Sequence, residues 1–291
     1  MLIEPDTLAA LQGPNHHADG GVIGSHPHRR RWLQQAAGLS ALGLFSPWSR
    51  AASTPSQAVI LCYHRFADTA ADSMTVRKST FADHIKAIGE AGAHVIPLAD
   101  LVAFRQGKLK QLPPRAVVIT VDDGHRSVIE VMDPMIRQTQ TKWPITLFIY
   151  PSAISNASYA MRWEHLQQLQ ASGQYNIQSH TYWHPNLVKE RKQQSPAEFE
   201  RFARNQLKRS KAVLEQRMGK PVSYLAWPFG MFDEGLMEMA ASEGYQAALA
   251  LENKACTAND PIQALPRHLM VDEVSGKRLK QLLDTAFPTG A

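Results

Sequence analysis

The chain has 291 residues, 44% of them hydrophobic and 20% charged, with 17 Gly and 18 Pro; this composition belongs to a globular protein and excludes a disordered chain, a collagen-like repeat or a coiled coil. Its formal charge of +5, from 31 basic and 26 acidic residues, is mild and forms no Lys/Arg stripe, so the electrostatic footprint of a nucleic-acid binder is missing. Two cysteines, Cys62 and Cys256, are too few and too far apart for a disulfide framework or a cysteine-based zinc site.

Residues 1–51 read as an export signal behind a loop-like extension rather than as part of the fold. Arg29-Arg30-Arg31-Trp32-Leu33 supplies a positive start, the stretch from Ala36 to Phe45 a short apolar run, and Ser49-Arg50-Ala51 a small-residue exit. Paired arginines followed by an aromatic residue and Leu have the form of a twin-arginine signal. The apolar run is shorter than the roughly 20 residues that cross a bilayer, and no later segment is long enough. The mature chain is therefore expected to have no membrane span and to work in the periplasm or cell envelope. Residues 52–291 form one domain with enough chain for a sizeable core. In an oxidising compartment Cys62 and Cys256 could pair, although two buried free thiols are the favoured expectation.

From residue 58 onward strands and helices alternate. Ala58–Tyr63 is an apolar run of strand length, and 79–91 carries Phe81, Ile85 and Ile88 at helical spacing, opened by Thr80 and Asp83 in a capping-box arrangement. A short apolar segment at 95–98 precedes a brief helix over 99–106. Val117–Val121 is β-branched and continuous, the clearest strand of the chain. A helix over 126–138, a strand at 145–150, a helix over 163–171 ended by Gly173 and a strand at 175–179 follow. Ser195-Pro196-Ala197-Glu198 combines an N-cap, Pro at the first helical position and a capping-box Glu, so it opens a long helix that stops at Gly219. Strand 222–227, helix 233–243 and strand 245–251 complete the pattern. Wholly apolar strands alternating with helices predict a parallel sheet covered on its outer side, and about seven such units favour a barrel. No Gly-rich phosphate loop follows any strand, which argues against a nucleotide cofactor.

In parallel α/β folds reactive residues gather where strands finish. The clearest strand finishes in Asp122-Asp123-Gly124, two carboxylates pointing different ways before a sharp turn; one can bind a metal while the other acts as a base, and the competing explanation is plain turn chemistry. A second strand finishes in His180-Thr181-Tyr182-Trp183-His184. Histidines four apart meet on one face if the chain makes a helical turn, and with Asp123 they make a three-ligand site with open positions, the layout of a catalytic metal. A third strand finishes in Trp227-Pro228-Phe229-Gly230, where Trp227 or Phe229 would wall a substrate pocket against a sugar face.

Together these pieces resemble the NodB-type polysaccharide deacetylases, carbohydrate esterase family four, over about residues 57–270. The family's Thr-Phe-Asp-Asp-Gly appears as Thr-Val-Asp-Asp-Gly, and its His-Ser/Thr-x-x-x-His is intact. The resemblance implies a deformed (β/α) barrel and removal of N-acetyl, or O-acetyl, groups from an acetylated polysaccharide or oligosaccharide. It assigns Asp122 as catalytic base, and Asp123, His180 and His184 as ligands of one divalent ion. Zinc suits that set, with Co2+, Ni2+ and Fe2+ fitting the same ligands. Tyr63-His64-Arg65, ending the first strand, is similar to members acting on exported poly-N-acetylglucosamine; peptidoglycan is the other envelope substrate considered.

Two departures stand out. The third motif often carries an Arg that orients the base, and here that position is Ala226; Arg126 or Arg267 is left to substitute. No convincing fourth motif is present. The general acid of the fifth motif is expected to be His268, with His64 as the competing acid or pocket residue, and His64, Trp227, Phe229 and Arg267 are expected to bind substrate. Two rivals remain: an amidohydrolase acting on a small non-sugar amide, and a non-catalytic glycan-binding module that keeps its metal.

Overall fold

The computed structural model describes residues 57–139 and 141–288; the expected export signal lies outside them. The first strand, β1 (Val59–Tyr63), is buried throughout and is followed by a two-stranded parallel ribbon, β2 (Arg65–Ala67) and β3 (Thr75–Arg77). Helix α1 (Lys78–Glu90) starts two residues before Thr80, so the expected capping box is not its start: the N-cap is Arg77, whose own N–H donates to Asp272 Oδ1 at 2.9 Å. Then come β4 (His94–Val95), α2 (Leu98–Arg105) and β5 (Ala116–Asp122). The helix expected over 126–138 is divided into a π-helical turn at Val128–Met132 and α3 (Asp133–Gln138). β6 (Ile145–Ile149), α4 (Trp163–Ala171), β7 (Tyr175–Ser179), a short α5 (Leu187–Arg191) and α6 (Pro196–Met218) follow. The last part holds β8 (Tyr224–Ala226), a 3-10 turn at Pro228–Gly230, α7 (Glu234–Ser242), β9 (Ala247–Leu249), β10 (His268–Leu269) and α8 (Gly276–Ala286).

Helix α6 begins and ends as its sequence demands. Ser195 and Glu198 cap each other, and Gly219 takes the left-handed conformation (φ 64°) that stops the helix.

Seven parallel strands curl into a half-barrel in the order β10-β1-β5-β6-β7-β8-β9, with β4 beside the start of β5. The residues before β10 reach towards the far edge: Leu265 pairs with Leu249, and Glu252 N–H donates to Arg267 C=O at 3.1 Å, before His268 pairs with Leu61. The barrel is deformed most between β7 and β8, which share only the Ser179–Leu225 register pair. There the Gln178 side chain does the work of a strand, its Oε1 accepting from Ser223 N–H and Tyr224 N–H, both at 2.8 Å. That substitution explains why the strand expected over 222–227 is only three residues long.

Strand alternation sorts the core into two faces. Val59, Leu61, Val117, Ile119, Leu147 and Ile149 pack outward under the helices, whereas Ile60, Val118, Phe148, Ala226, Leu249 and Leu265 pack inward with α2's Leu98, Leu101 and Val102. Along β5 the inward series runs Val118, Thr120, Asp122, so the inner face turns polar at the carboxyl end. Cys62 and Cys256 are both buried and free.

Candidate active site

Asp122 closes β5 on the inward face and is 1% exposed. A lone buried carboxylate is costly, and its partner is Arg267, fully buried, which donates from Nη1 to Oδ1 and from Nη2 to Oδ2 at 2.8 Å each. Arg267 is itself locked by bonds to Ala250 C=O (3.0 Å) and Thr120 Oγ1 (3.2 Å). Burial favours the neutral acid at Asp122, but the Arg267 guanidinium overrides it and holds the carboxyl well below the usual carboxylate range. Arg267 is therefore absent from the lining of the cavity over Asp122, contrary to expectation, and is instead the one of the two arginines expected to replace the missing Arg that pairs with Asp122. Arg126 is solvated instead, paired with Glu130 at 3.6 Å.

Asp123 turns away from its neighbour because it adopts a left-handed backbone (φ 73°), continued by Gly124 (φ 76°). A β-carbon at Gly124 would stand 3.0 Å from the Cδ1 atoms of both Ile149 and Ile154, so this turn requires glycine twice over, for conformation and for space. The Asp123 carboxylate lies 3.7 Å from Nε2 of both His180 and His184, and one ligand atom from each of the three lies within 4.8 Å of the other two. The histidines converge without the expected helical turn. Thr181 and His184 both take positive φ (62°), folding the loop after β7 back on itself.

This donor set fits a divalent metal. His180 Nδ1 is 2.8 Å from Ala226 C=O; a carbonyl only accepts, so Nδ1 carries the proton and Nε2 offers a lone pair toward Asp123. Burial lowers the His180 pKa to about 3, despite the opposing pull of Asp122, and burial also lowers that of His184. Both imidazoles are thus neutral, as ligation requires. Burial pushes the Asp123 carboxyl upward, a penalty that a bound cation would remove.

A cavity of about 460 Å3 opens over these groups. His64 lines it, with Nδ1 buried and without a partner. Phe229 lines it with 58% of its surface exposed, whereas Trp227 is fully buried, its Nε1–H donating to Gln263 C=O at 2.8 Å. His268 is not there. It pairs with Leu61, an outward residue, and lines a separate cavity with Met270, Val274 and Arg278. The reason is strand alternation: with Arg267 turned inward to Asp122, its neighbour must face out. His268, expected as the general acid, is thus placed outside the cavity that holds Asp122 and Asp123.

Sequence reasoning missed Tyr150, Met74 and Leu251, which also line the cavity, as does Arg65 of the Tyr63-His64-Arg65 segment. Tyr150 directly follows β6 and Leu251 ends the strand expected over 245–251, so the strand-end rule that found the aspartates reaches both; Met74 carries no local signal.

Residues 109–248 match the family model described as polysaccharide deacetylase. The chain is 23% identical over 211 residues to the poly-beta-1,6-N-acetyl-D-glucosamine N-deacetylase of Staphylococcus aureus strain MRSA252, covering 71% of each chain. Among solved structures it is similar in fold to a Streptococcus pyogenes deacetylase, PplD, in complex with acetate (TM-score 0.69, 19% identity, 79% of this chain and 99% of that one). It is likewise similar to IcaB from Ammonifex degensii (TM-score 0.66, 20% identity, 79% and 98%).

Proposed function

The chain carries a polysaccharide deacetylase domain, and from that premise we propose that it removes N-acetyl groups from an exported N-acetylglucosamine polymer, by metal-assisted hydrolysis. The observation that carries this reading is the pairing of two unlike carboxylates at one strand end: Asp122 locked to Arg267, and Asp123 beside two neutral imidazoles. A binding module has use for the second arrangement but none for the first. The likeness to the Staphylococcus aureus enzyme supports the poly-N-acetylglucosamine substrate.

Asp123, His180 and His184 would hold the divalent ion, zinc suiting their mixed oxygen and nitrogen donors. When bound, the ion supplies polarisation of the acetyl carbonyl and a lowered pKa for water. Asp122 takes the proton of the attacking water. Arg267 occupies one lone pair on each of its oxygens, fixing the plane of the carboxylate and favouring its ionised form as the resting state. The leaving amine nitrogen needs a proton in return, and His64 is the group that gives it: its ring lines the same cavity, its Nδ1 has no hydrogen-bond partner, and a ligand atom of its ring lies within 4.8 Å of one on Asp122. Burial lowers the His64 pKa, with Asp122 and Asp123 opposing that shift. Phe229 and Trp227 shield one side of the cavity from water.

The test is acetate release by the purified protein from β-1,6-linked N-acetylglucosamine oligomers, chitin oligomers and peptidoglycan, with and without chelator. Release that chelator abolishes and added zinc restores is expected, lost in Asp122→Asn. No release from any glycan, with one divalent ion still bound per chain, would overturn the reading in favour of a binding module or a small-amide hydrolase.

A further inference from the structure

Along β1 the outward series is Val59, Leu61 and Tyr63, so Cys62, and His64 just beyond the strand, share the inward face. In register Cys62 stands beside Thr120 of β5, and Asp122 lies two residues further along the same inward face. Cys62 Sγ is 3.5 Å from Asp122 Oδ2. One ligand atom from each of Cys62, His64 and Asp122 lies within 4.8 Å of the other two. All three residues are buried, His64 being the most open at 8% exposed. This sulfur, nitrogen and oxygen set is distinct from that of Asp123, His180 and His184, and the hydrolysis makes no use of Cys62.

A buried free cysteine usually packs as a small hydrophobe. Cys62 instead faces a carboxylate, in a cluster whose imidazole is short of a partner: His64 Nδ1 is buried and makes no hydrogen bond. Buried polar atoms are normally satisfied, so an orphan of this kind points to a missing ligand. A tetrahedral ion with bonds of about 2.3 Å to sulfur and 2.0 Å to oxygen sets those two donors roughly 3.5 Å apart, the separation already present between Cys62 Sγ and Asp122 Oδ2. Asp122 can join without leaving Arg267, which takes one lone pair from each carboxylate oxygen and leaves one on each. A Cys62 thiolate and the Asp122 carboxylate together match the two charges of a divalent ion. The thiolate also sets the selectivity, because sulfur prefers soft ions over Mg2+ or Ca2+. His64 and Asp122 line the cavity of about 460 Å3, which gives an ion its way in.

We propose that Cys62, His64 and Asp122 form a second, inhibitory site for a soft divalent ion, separate from the site of the hydrolytic ion. On binding, the Cys62 S–H bond breaks, a metal–sulfur bond forms and the proton leaves to solvent, with no transfer of electrons. Asp122 Oδ2 lies 3.7 Å from His180 Nε2, so the two sites adjoin, and an ion in the second withdraws the base and the proton donor together. The inhibition, though not the site, rests on the deacetylase reading above. Cd2+ is titrated into the zinc-loaded full chain carrying Cys256→Ser, in which Cys62 is the one thiol left. Thiolate-to-cadmium charge-transfer absorbance, bound zinc and acetate release are followed together. The absorbance should rise while zinc stays bound, and acetate release should fall with the same dependence on Cd2+. Adding Cys62→Ser should leave basal acetate release unchanged, remove the absorbance and raise the half-inhibiting Cd2+ concentration about 100-fold, as much as losing a partner behind a metal ligand can cost. Cys62→Ala should do the same, and serves if a buried hydroxyl unfolds the chain. Absence of the charge-transfer band in the chain that keeps Cys62, or equal inhibition with and without its thiol, overturns the proposal. A band in protein that releases no acetate even before Cd2+ is added would refute the deacetylase reading and leave the site standing.

Discussion

At the residue scale, the two histidines that compete for the acid role differ in one physical respect, the side of the strand they occupy. His64 follows β1 and faces the cavity; His268 is on β10 beside Leu61 and faces out. His64→Gln should lower kcat by about 10²–10⁴-fold, the usual range for a general acid, and change the basic limb of the pH–rate profile. His268→Gln should leave that profile unmoved, because its ring reaches neither the reacting centre nor the Asp122–Arg267 pair. Loss of the basic limb in His268→Gln would sink the assignment. The same scale explains how the motif residues were legible: Asp122, Asp123, His180 and His184 occupy strand ends, and strand ends are visible as the place where a continuous apolar run stops. His268 was expected there as the nearest candidate for the fifth motif although its spacing differs from the usual Leu-x-His, and its facing depends on Arg267 next door, which depends on a partner 145 residues away.

At the element scale, most strands and the long helices follow from local pattern. β5 is unbroken β-branched sequence, and α6 carries its own start and stop. The misses are elements that tertiary packing creates. The shortened β8 answers to a neighbour: Gln178 supplies the bonds that a longer β8 would have taken from β7. Helix α8 packs against α1, and the contact is tightest at Gly276, where a β-carbon would stand 2.7 Å from the Asp83 carbonyl oxygen and 2.9 Å from its Cβ. Gly276→Ala should therefore push α8 off α1 and destabilise the fold by about 1–3 kcal/mol, read as a lowered denaturation midpoint at unchanged m-value. An unchanged midpoint would show that the helices can shift apart freely.

At the scale of the whole molecule, the Asp122–Arg267 pair fastens the middle of the sheet to the segment that reaches from β9 to β1. Asp122 has a folded pKa held below its unfolded value of about 3.9. It therefore contributes stability above roughly pH 4 that is lost as pH falls toward the folded value. Asp122→Asn leaves Arg267 buried without a counter-charge, so its unfolding free energy at pH 7 should be lower by about 3–5 kcal/mol. That gap should narrow between about pH 4 and pH 2, measured by urea unfolding in chelator. A gap that stays constant down to pH 2 would show that the pair is not ionised in the fold.

The amino-acid sequence by itself determined the parallel alternation and the strand-end placement of Asp122, Asp123, His180 and His184. These follow from period-two burial and from apolar runs ending in chemistry-bearing side chains, which are properties of a few consecutive residues. Only the tertiary structure decided that Arg267 pairs with Asp122, that His64 rather than His268 lines the cavity, and that His180 and His184 converge through left-handed residues instead of a helical turn. Each of these is set by register between strands far apart in the chain, or by backbone conformations that the packing of neighbouring strands imposes, and no local pattern encodes either.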